Sequence, residues 1–166
     1  MMAPEYRFRP LRDEDADTIV DIFNYYVENG FSAYREHKVD RAFFVRMREL
    51  AAGYPIYAAE TADGRVVGFG LLRQYHPGDV FKRAAELTYF IAPDHVGQGI
   101  GGRFLEMLID DARKHGIDTL LASISSLNGA SIRFHEKNGF TECGRFKRIG
   151  RKKGQDFDMV WMQKFI

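Results

Sequence analysis

The chain has 166 residues, 45% hydrophobic and 28% charged, with a formal net charge of +1. That suffices for one core over residues 1–166, leaves little room for a second domain, and aims no global field at nucleic acid or an anionic membrane. The single cysteine, Cys143, excludes an intramolecular disulfide framework and suits a reducing compartment.

Residues 1–10 hold Glu5, Arg7 and Arg9 without an apolar run, so no signal peptide is expected. No stretch reaches the roughly 18 apolar residues of a membrane span, and a soluble cytoplasmic protein is expected. Residues 6–10 alternate like a short strand. Asp13, Glu14 and Asp15 then load acid at a helix start, where the helix dipole favours it, and Ile19, Ile22, Phe23, Tyr26 and Val27 follow at helical spacing up to Asn29-Gly30. The spacing predicts a second helix over 40–52. Strands over 55–60 and 66–72 flank the turn signal Ala62-Asp63-Gly64. A loop over 75–81 leads to an apolar strand over 84–91, interrupted by Glu86 and Thr88. A glycine-rich loop from Pro93 opens a helix whose apolar face holds Phe104, Leu105, Leu108, Ile109 and Ala112. A buried strand over 120–125, a short helix over 128–137 and two strands over 140–145 and 157–164, joined by a basic turn, complete the chain. The order β-α-α-β-β-β-α-β-α-β-β predicts an α/β chain with a central mixed sheet flanked by helices.

The central loop reads Phe90-Ile91-Ala92-Pro93-Asp94-His95-Val96-Gly97-Gln98-Gly99-Ile100-Gly101-Gly102. Its glycines let the backbone turn sharply, and free N–H groups at the following helix start suit a diphosphate. It is no P-loop, because no Gly-Lys-Ser/Thr follows, and a dinucleotide fold places its glycine loop after the first strand of its unit. A glycine turn without a ligand is the competing reading.

At this loop the chain resembles the GNAT acetyltransferases, whose pyrophosphate loop is written Q/R-x-x-G-x-G/A. Gly99 and Gly101 match within Val96-Gly97-Gln98-Gly99-Ile100-Gly101, and Val96 replaces the usual Gln or Arg. The block Glu86-Leu87-Thr88-Tyr89-Phe90-Ile91 and the block Asn128-Gly129-Ala130-Ser131-Ile132-Arg133-Phe134-His135-Glu136-Lys137-Asn138-Gly139-Phe140 are similar to the phosphinothricin and methionine-sulfone branch. The resemblance implies the GNAT fold, acetyl-CoA as cosubstrate, a small-molecule amine acceptor (an amino acid or analogue) and a homodimer. It implies two strands that splay beside the loop, with Tyr89, Phe90 and Ile91 lining the pantetheine arm. Val96, Gly97, Gln98, Gly99, Ile100, Gly101 and Gly102 would hold the phosphates, with Asn128 and Ser131 also touching the cofactor; simple capping of the helix start is the competing reading for these two.

Glu86, a carboxylate in an otherwise apolar strand, is the candidate general base. A solvent-facing strand residue, or an ion pair with Arg73 or Arg83, is its competing reading. His135 is the candidate acid for the leaving thiolate, set against packing on an amphipathic helix. Arg73, Tyr75, His76, Phe81, Glu86, Leu87 and Thr88 are the candidate acceptor contacts, with Lys82 and Arg83 as further candidates for an acceptor carboxylate. Scattered histidines and one cysteine argue against a metal site. The basic run from Arg145 to Lys153 reads as a solvated face or a cofactor-phosphate contact rather than a nucleic-acid site. A protein N-terminus, a lysine or a polyamine as acceptor is the rival within the enzyme class. A non-catalytic acetyl-CoA-binding module is the rival outside it.

Overall fold

The order of elements found in a computed structural model, which describes residues 5–166, is the one the sequence predicts. The part of the N-terminal reading that falls on residues 1–4 lies outside the described residues. The elements are β1 (Tyr6–Pro10), α1 (Ala16–Glu28), α2 (Arg41–Leu50), β2 (Ile56–Thr61), β3 (Val66–Gln74), β4 (Ala84–Ile91), α3 (Ile100–Lys114), β5 (Thr119–Ser125), α4 (Gly129–Lys137), β6 (Thr141–Lys152) and β7 (Gln155–Phe165). The strands form one mixed sheet in the order β1-β2-β3-β4-β5-β7-β6. Among the described residues, no helix is long and apolar enough to cross a membrane.

Local chemistry sets the helix starts. The buried Asp15 accepts the Arg12 N–H (2.8 Å) and both arms of the Arg9 guanidinium (2.8 and 2.9 Å), which closes the acidic turn ahead of α1. Asp40 caps α2 by accepting the Ala42 N–H at 2.9 Å. Side chains of β3 alternate across the sheet. Phe69 and Leu71 pack under α1 and α2, whereas Leu72 joins Ala85, Leu87, Leu105 and Leu108 under α3. β3 continues to Gln74, two residues beyond the expected end, and so sets Arg73 directly across from Glu86 of β4.

The pairing between β4 and β5 positions the site. These neighbours are parallel and pair at only three places, Ala84 with Thr119, Ala85 with Leu120 and Glu86 with Leu121. β4 then follows β3 to Ile91, and β5 follows β7 to Ser125. The β5-facing edge of β4 beyond Glu86 is therefore left without a strand partner.

The basic turn expected between the last two strands is instead part of them. β6 runs to Lys152 and β7 starts at Gln155, leaving only Lys153 and Gly154 as the turn. Acids on β6 and β7 explain this. Arg145 pairs with Glu142 and Asp158, and both Arg148 and Arg151 pair with Asp156, so the cations are matched within the hairpin and do not repel it open. Lys152 is buried at 3% exposure, and its Nζ donates to the Tyr26 (3.1 Å) and Ala33 (2.9 Å) carbonyls, fastening the α1–α2 loop to the hairpin. Opposite Phe157, Gly150 has no room for a side chain, since a Cβ there would lie 2.2 Å from the ring. Gly150→Ala is expected to lower stability by about 1–3 kcal/mol through overpacking, read as a fall in the denaturant midpoint at unchanged m-value.

Candidate active site

The gap between β4 and β5 opens into a cavity of about 650 Å³. Val96, Gly97, Gly99, Gly101 and Gly102 line one end, the β4 edge and Ala122 to Ile124 of β5 form its sides, and the α1–α2 loop and α4 close round it.

At the glycine end the chain turns through Gly97 (φ 79°) and Gly99 (φ 85°), both in the left-handed region open to glycine. No side chain caps α3. The Arg103 N–H bonds the Gly99 carbonyl at 3.1 Å, so the N–H groups of Ile100, Gly101 and Gly102 before it have no intrahelical partner. Bare amides at the positive end of a 15-residue helix, facing a cavity, suit a diphosphate. Val96 lines this end and is 55% exposed, but it brings no donor. Two side chains of the loop point elsewhere. Gln98 does not line the cavity, and the Ile100 side chain is turned into the core against Phe104, Ala59 and Val67. Only their backbone groups are left to face a ligand at this loop.

The cavity walls include Leu87, Thr88, Tyr89, Phe90 and Ile91. The Tyr26 hydroxyl donates to the Ile91 carbonyl at 2.6 Å and fixes the end of β4 against α1. Asn128 caps α4 by accepting the Ser131 N–H (3.3 Å) and donates to Ser32 Oγ (3.0 Å), so it joins α4 to the α1–α2 loop. Asn128 and Ser131 both line the cavity.

Glu86 is 6% exposed and lies across the three-rung junction of the two strands. Its Oε1 accepts from Ser123 Oγ (2.7 Å) and pairs with an Arg73 guanidinium nitrogen (2.8 Å). The ion pair weighed as a competing reading is thus present, with Arg73 and not with Arg83, which pairs with Asp118. Both contacts of Glu86, from Ser123 and from Arg73, are to the same oxygen. Oε2 has no partner among the described residues and is not a buried orphan, so it is the oxygen open to the cavity. Arg73 Nε is the one buried side-chain atom without a partner among the described residues. Ser123 is a site residue that sequence reasoning passed over. Its signal was a hydroxyl between Ala122 and Ile124 in a strand read simply as buried.

His135 is 3% exposed. Its Nδ1 lies 2.7 Å from the Ser131 carbonyl, which can only accept, so Nδ1 donates to it; the Ser131 hydroxyl oxygen lies 3.3 Å from the same nitrogen. Nε2 is then the acceptor for the Tyr89 hydroxyl. Burial lowers the His135 pKa, and the bond to Ser131 opposes that shift only in part. The neutral ring so held has no proton facing the cavity, which departs from the expected acid role. Burial likewise pushes the Tyr89 hydroxyl up. The depressed histidine has a consequence for stability. The unfolded chain binds this proton more readily than the native one, so the native state is favoured above about pH 6.5 and loses ground as pH falls through the lower folded value. Thermal unfolding followed from pH 8 to pH 5 is expected to show a decline that His135→Asn reduces.

Three expected acceptor contacts lie elsewhere. Tyr75, His76 and Phe81 do not line the cavity. Tyr75 packs edge-on against Trp161 (6.2 Å) and Phe81 (6.0 Å), and the His76 ring sits 4.7 Å from Phe81. Aromatic side chains on this loop satisfy one another. Lys82 pairs with Asp79 next to them. Arg73, Leu87 and Thr88 do line the cavity with Glu86. Cys143 is exposed on β6, away from the cavity, with Sγ 3.4 Å from the Trp161 carbonyl.

A family model described as an acetyltransferase (GNAT) domain matches residues 8–161. The L-methionine sulfoximine/L-methionine sulfone acetyltransferase of Pseudomonas paraeruginosa is 34% identical over 154 residues, spanning 90% of this chain and 88% of its own. Among solved structures, the ribosomal-protein-alanine N-acetyltransferase from Brucella melitensis aligns with a TM-score of 0.87 at 34% identity, covering 96% of this chain and 99% of that one. A GNAT superfamily phosphinothricin acetyltransferase from Sinorhizobium meliloti, solved in complex with AcCoA, aligns with a TM-score of 0.91 at 26% identity, covering 99% and 89%.

Proposed function

The chain belongs to the GNAT acetyltransferases and is an acetyl-CoA-dependent acyltransferase, and from that premise we propose that it acetylates the primary amine of a free amino acid or close analogue, with Glu86 Oε2 taking the amine proton. The observation that carries this reading is the open Oε2 of a buried carboxylate whose other oxygen is held by Ser123 and Arg73. A base must be fixed in place yet leave a lone pair free, and this one does both. The acetylating relative named for methionine sulfoximine and methionine sulfone supports an amino-acid acceptor.

Bound acetyl-CoA supplies the acetyl group as a thioester, which a neutral amine can attack. The residues present fit it. The N–H groups at the start of α3 would meet the diphosphate, and the unpaired edge from Leu87 to Ile91 would offer backbone groups to the pantetheine arm and to the acetyl carbonyl. Glu86 Oε2 accepts the proton as the amine becomes nucleophilic, directly or through one water. Solvent at the cavity mouth protonates the departing sulfur. His135 holds Tyr89 in the wall, and Cys143 takes no part. Transfer is direct, without an acylated protein side chain.

We further propose a cytoplasmic homodimer. The exposed Phe146 (58%) and Ile149 (63%) on the edge strand β6 supply an apolar surface for it, and light scattering tests it. The name of the Brucella protein keeps a protein N-terminus as the second acceptor reading. A thiol-release assay with acetyl-CoA decides between them. Amino acids, methionine sulfone and phosphinothricin should release thiol, and turnover confined to peptides or polyamines would replace this reading.

A further inference from the structure

Beside Glu86 the main cavity meets a second one. It encloses about 310 Å³ between the α1–α2 loop and the β6–β7 hairpin, and Tyr34 and Arg35 line both. Tyr34 forms the partition. Its hydroxyl donates to the Ser123 carbonyl (2.8 Å), and its ring stacks on Phe157 with centroids 6.1 Å apart. Ser123 is the residue whose side chain holds Glu86 Oε1, so the partition stands next to the base. Burial and the negative charge of Glu86 push the Tyr34 hydroxyl up to about 12, consistent with that proximity.

Ile149, Phe157 and Met159 give the second cavity apolar walls. Most of its charged residues are committed. Arg151 pairs with Asp156 (2.5 Å), Lys152 donates to two carbonyls, and Glu36 accepts the Lys153 N–H (3.0 Å). Arg73, the other cation near the base, is turned to Glu86. Arg35 is the exception, with no hydrogen-bond or ion-pair partner among the described residues while lining both spaces. An α-amino acid whose nitrogen sits on Glu86 Oε2 projects a carboxylate and a side chain from the adjoining carbon. A free cation lining the cavity that holds the base, and an apolar recess on the far side of Tyr34, match those two groups. A peptide N-terminus has an amide in place of that carboxylate and would leave Arg35 unmatched.

Resting on Glu86 as the base, we propose that Arg35 binds the acceptor's α-carboxylate and that the second cavity takes its side chain, so that this enzyme selects free amino acids with apolar side chains of about methionine size. The test compares L-methionine with L-methioninamide. The wild-type enzyme is expected to favour L-methionine by roughly 10–100-fold in kcat/KM, the scale of a charge-assisted hydrogen bond. In Arg35→Gln the two acceptors should fall within about threefold of each other, the loss appearing in the KM of L-methionine. Calorimetric titration of L-methionine into enzyme saturated with coenzyme A should show a matching loss of affinity. From glycine through alanine to L-methionine, wild-type kcat/KM should rise by ~4-fold per added methylene-sized group. A preference for L-methionine that survives Arg35→Gln, or glycine used as well as L-methionine, would overturn the proposal. Equal use of methionine and its amide by the wild type sinks this assignment but leaves Glu86 as base standing, whereas turnover of neither overturns the underlying amino-acid reading.

Discussion

Glu86→Gln is expected to lower kcat by roughly 10²-fold or more, the usual scale for losing a positioned base. Glutamine keeps the size of the side chain and an oxygen for the Ser123 hydroxyl, so Ser123 need not move. Arg73 loses its charged partner but is 37% exposed and can turn to water. The fold and the affinity for coenzyme A should therefore hold, which separates a chemical defect from a structural one. The pH profile adds a second mark. The amine sheds its proton unaided as pH approaches its own pKa, so the gap between variant and wild type should narrow at alkaline pH. Equal rates for the two proteins at saturating amine and neutral pH would remove Glu86 from the mechanism.

The second large effect is expected at the phosphate loop. A Cβ at Gly99 would meet nothing within 4 Å, so Gly99→Val creates no clash. The obstacle is the backbone, whose φ of 85° a β-branched residue adopts only at a cost of about 1–3 kcal/mol. Relaxing that strain would swing the bare N–H groups of Ile100 to Gly102 off their aim. Calorimetry should show coenzyme A affinity reduced by roughly 10–100-fold. Gly102→Ala is the control. Its Cβ also meets nothing within 4 Å, and its backbone lies outside the left-handed region, so binding should stay within about threefold of wild type. Equal affinities for Gly99→Val and wild type would mean that the loop does not grip the phosphates.

The element order was legible because each signal was local, such as apolar spacing at Ile19, Ile22 and Phe23, the acidic run from Asp13 to Asp15 or a glycine run after Ile91. Glu86 stood out because a charge in an apolar strand is rare. What the sequence hid was pairing at a distance. The basic hairpin was misread because Asp156 and Asp158, which neutralise it, lie on the partner strand and count only once the strands are aligned. Tyr75, His76 and Phe81 suggested an acceptor box by composition, yet Tyr75 packs on Trp161, far along the chain, and none of the three lines the cavity. Arg35 drew no notice for the opposite reason, since an uncommitted arginine is recognised only after the partners of all the others are known.

The three-rung junction of β4 and β5 divides the sheet into halves, β1 to β4 on one side and β5, β7 and β6 on the other. Few internal bonds stitch them there, and an acyl donor bound as proposed would bring amides of its own to bridge the seam. Occupancy at a hundred times the dissociation constant would add about 2.7 kcal/mol against unfolding. On the proposed binding mode the acyl donor would thus lend the two halves part of their rigidity, and the unliganded protein would be the more heat-sensitive form.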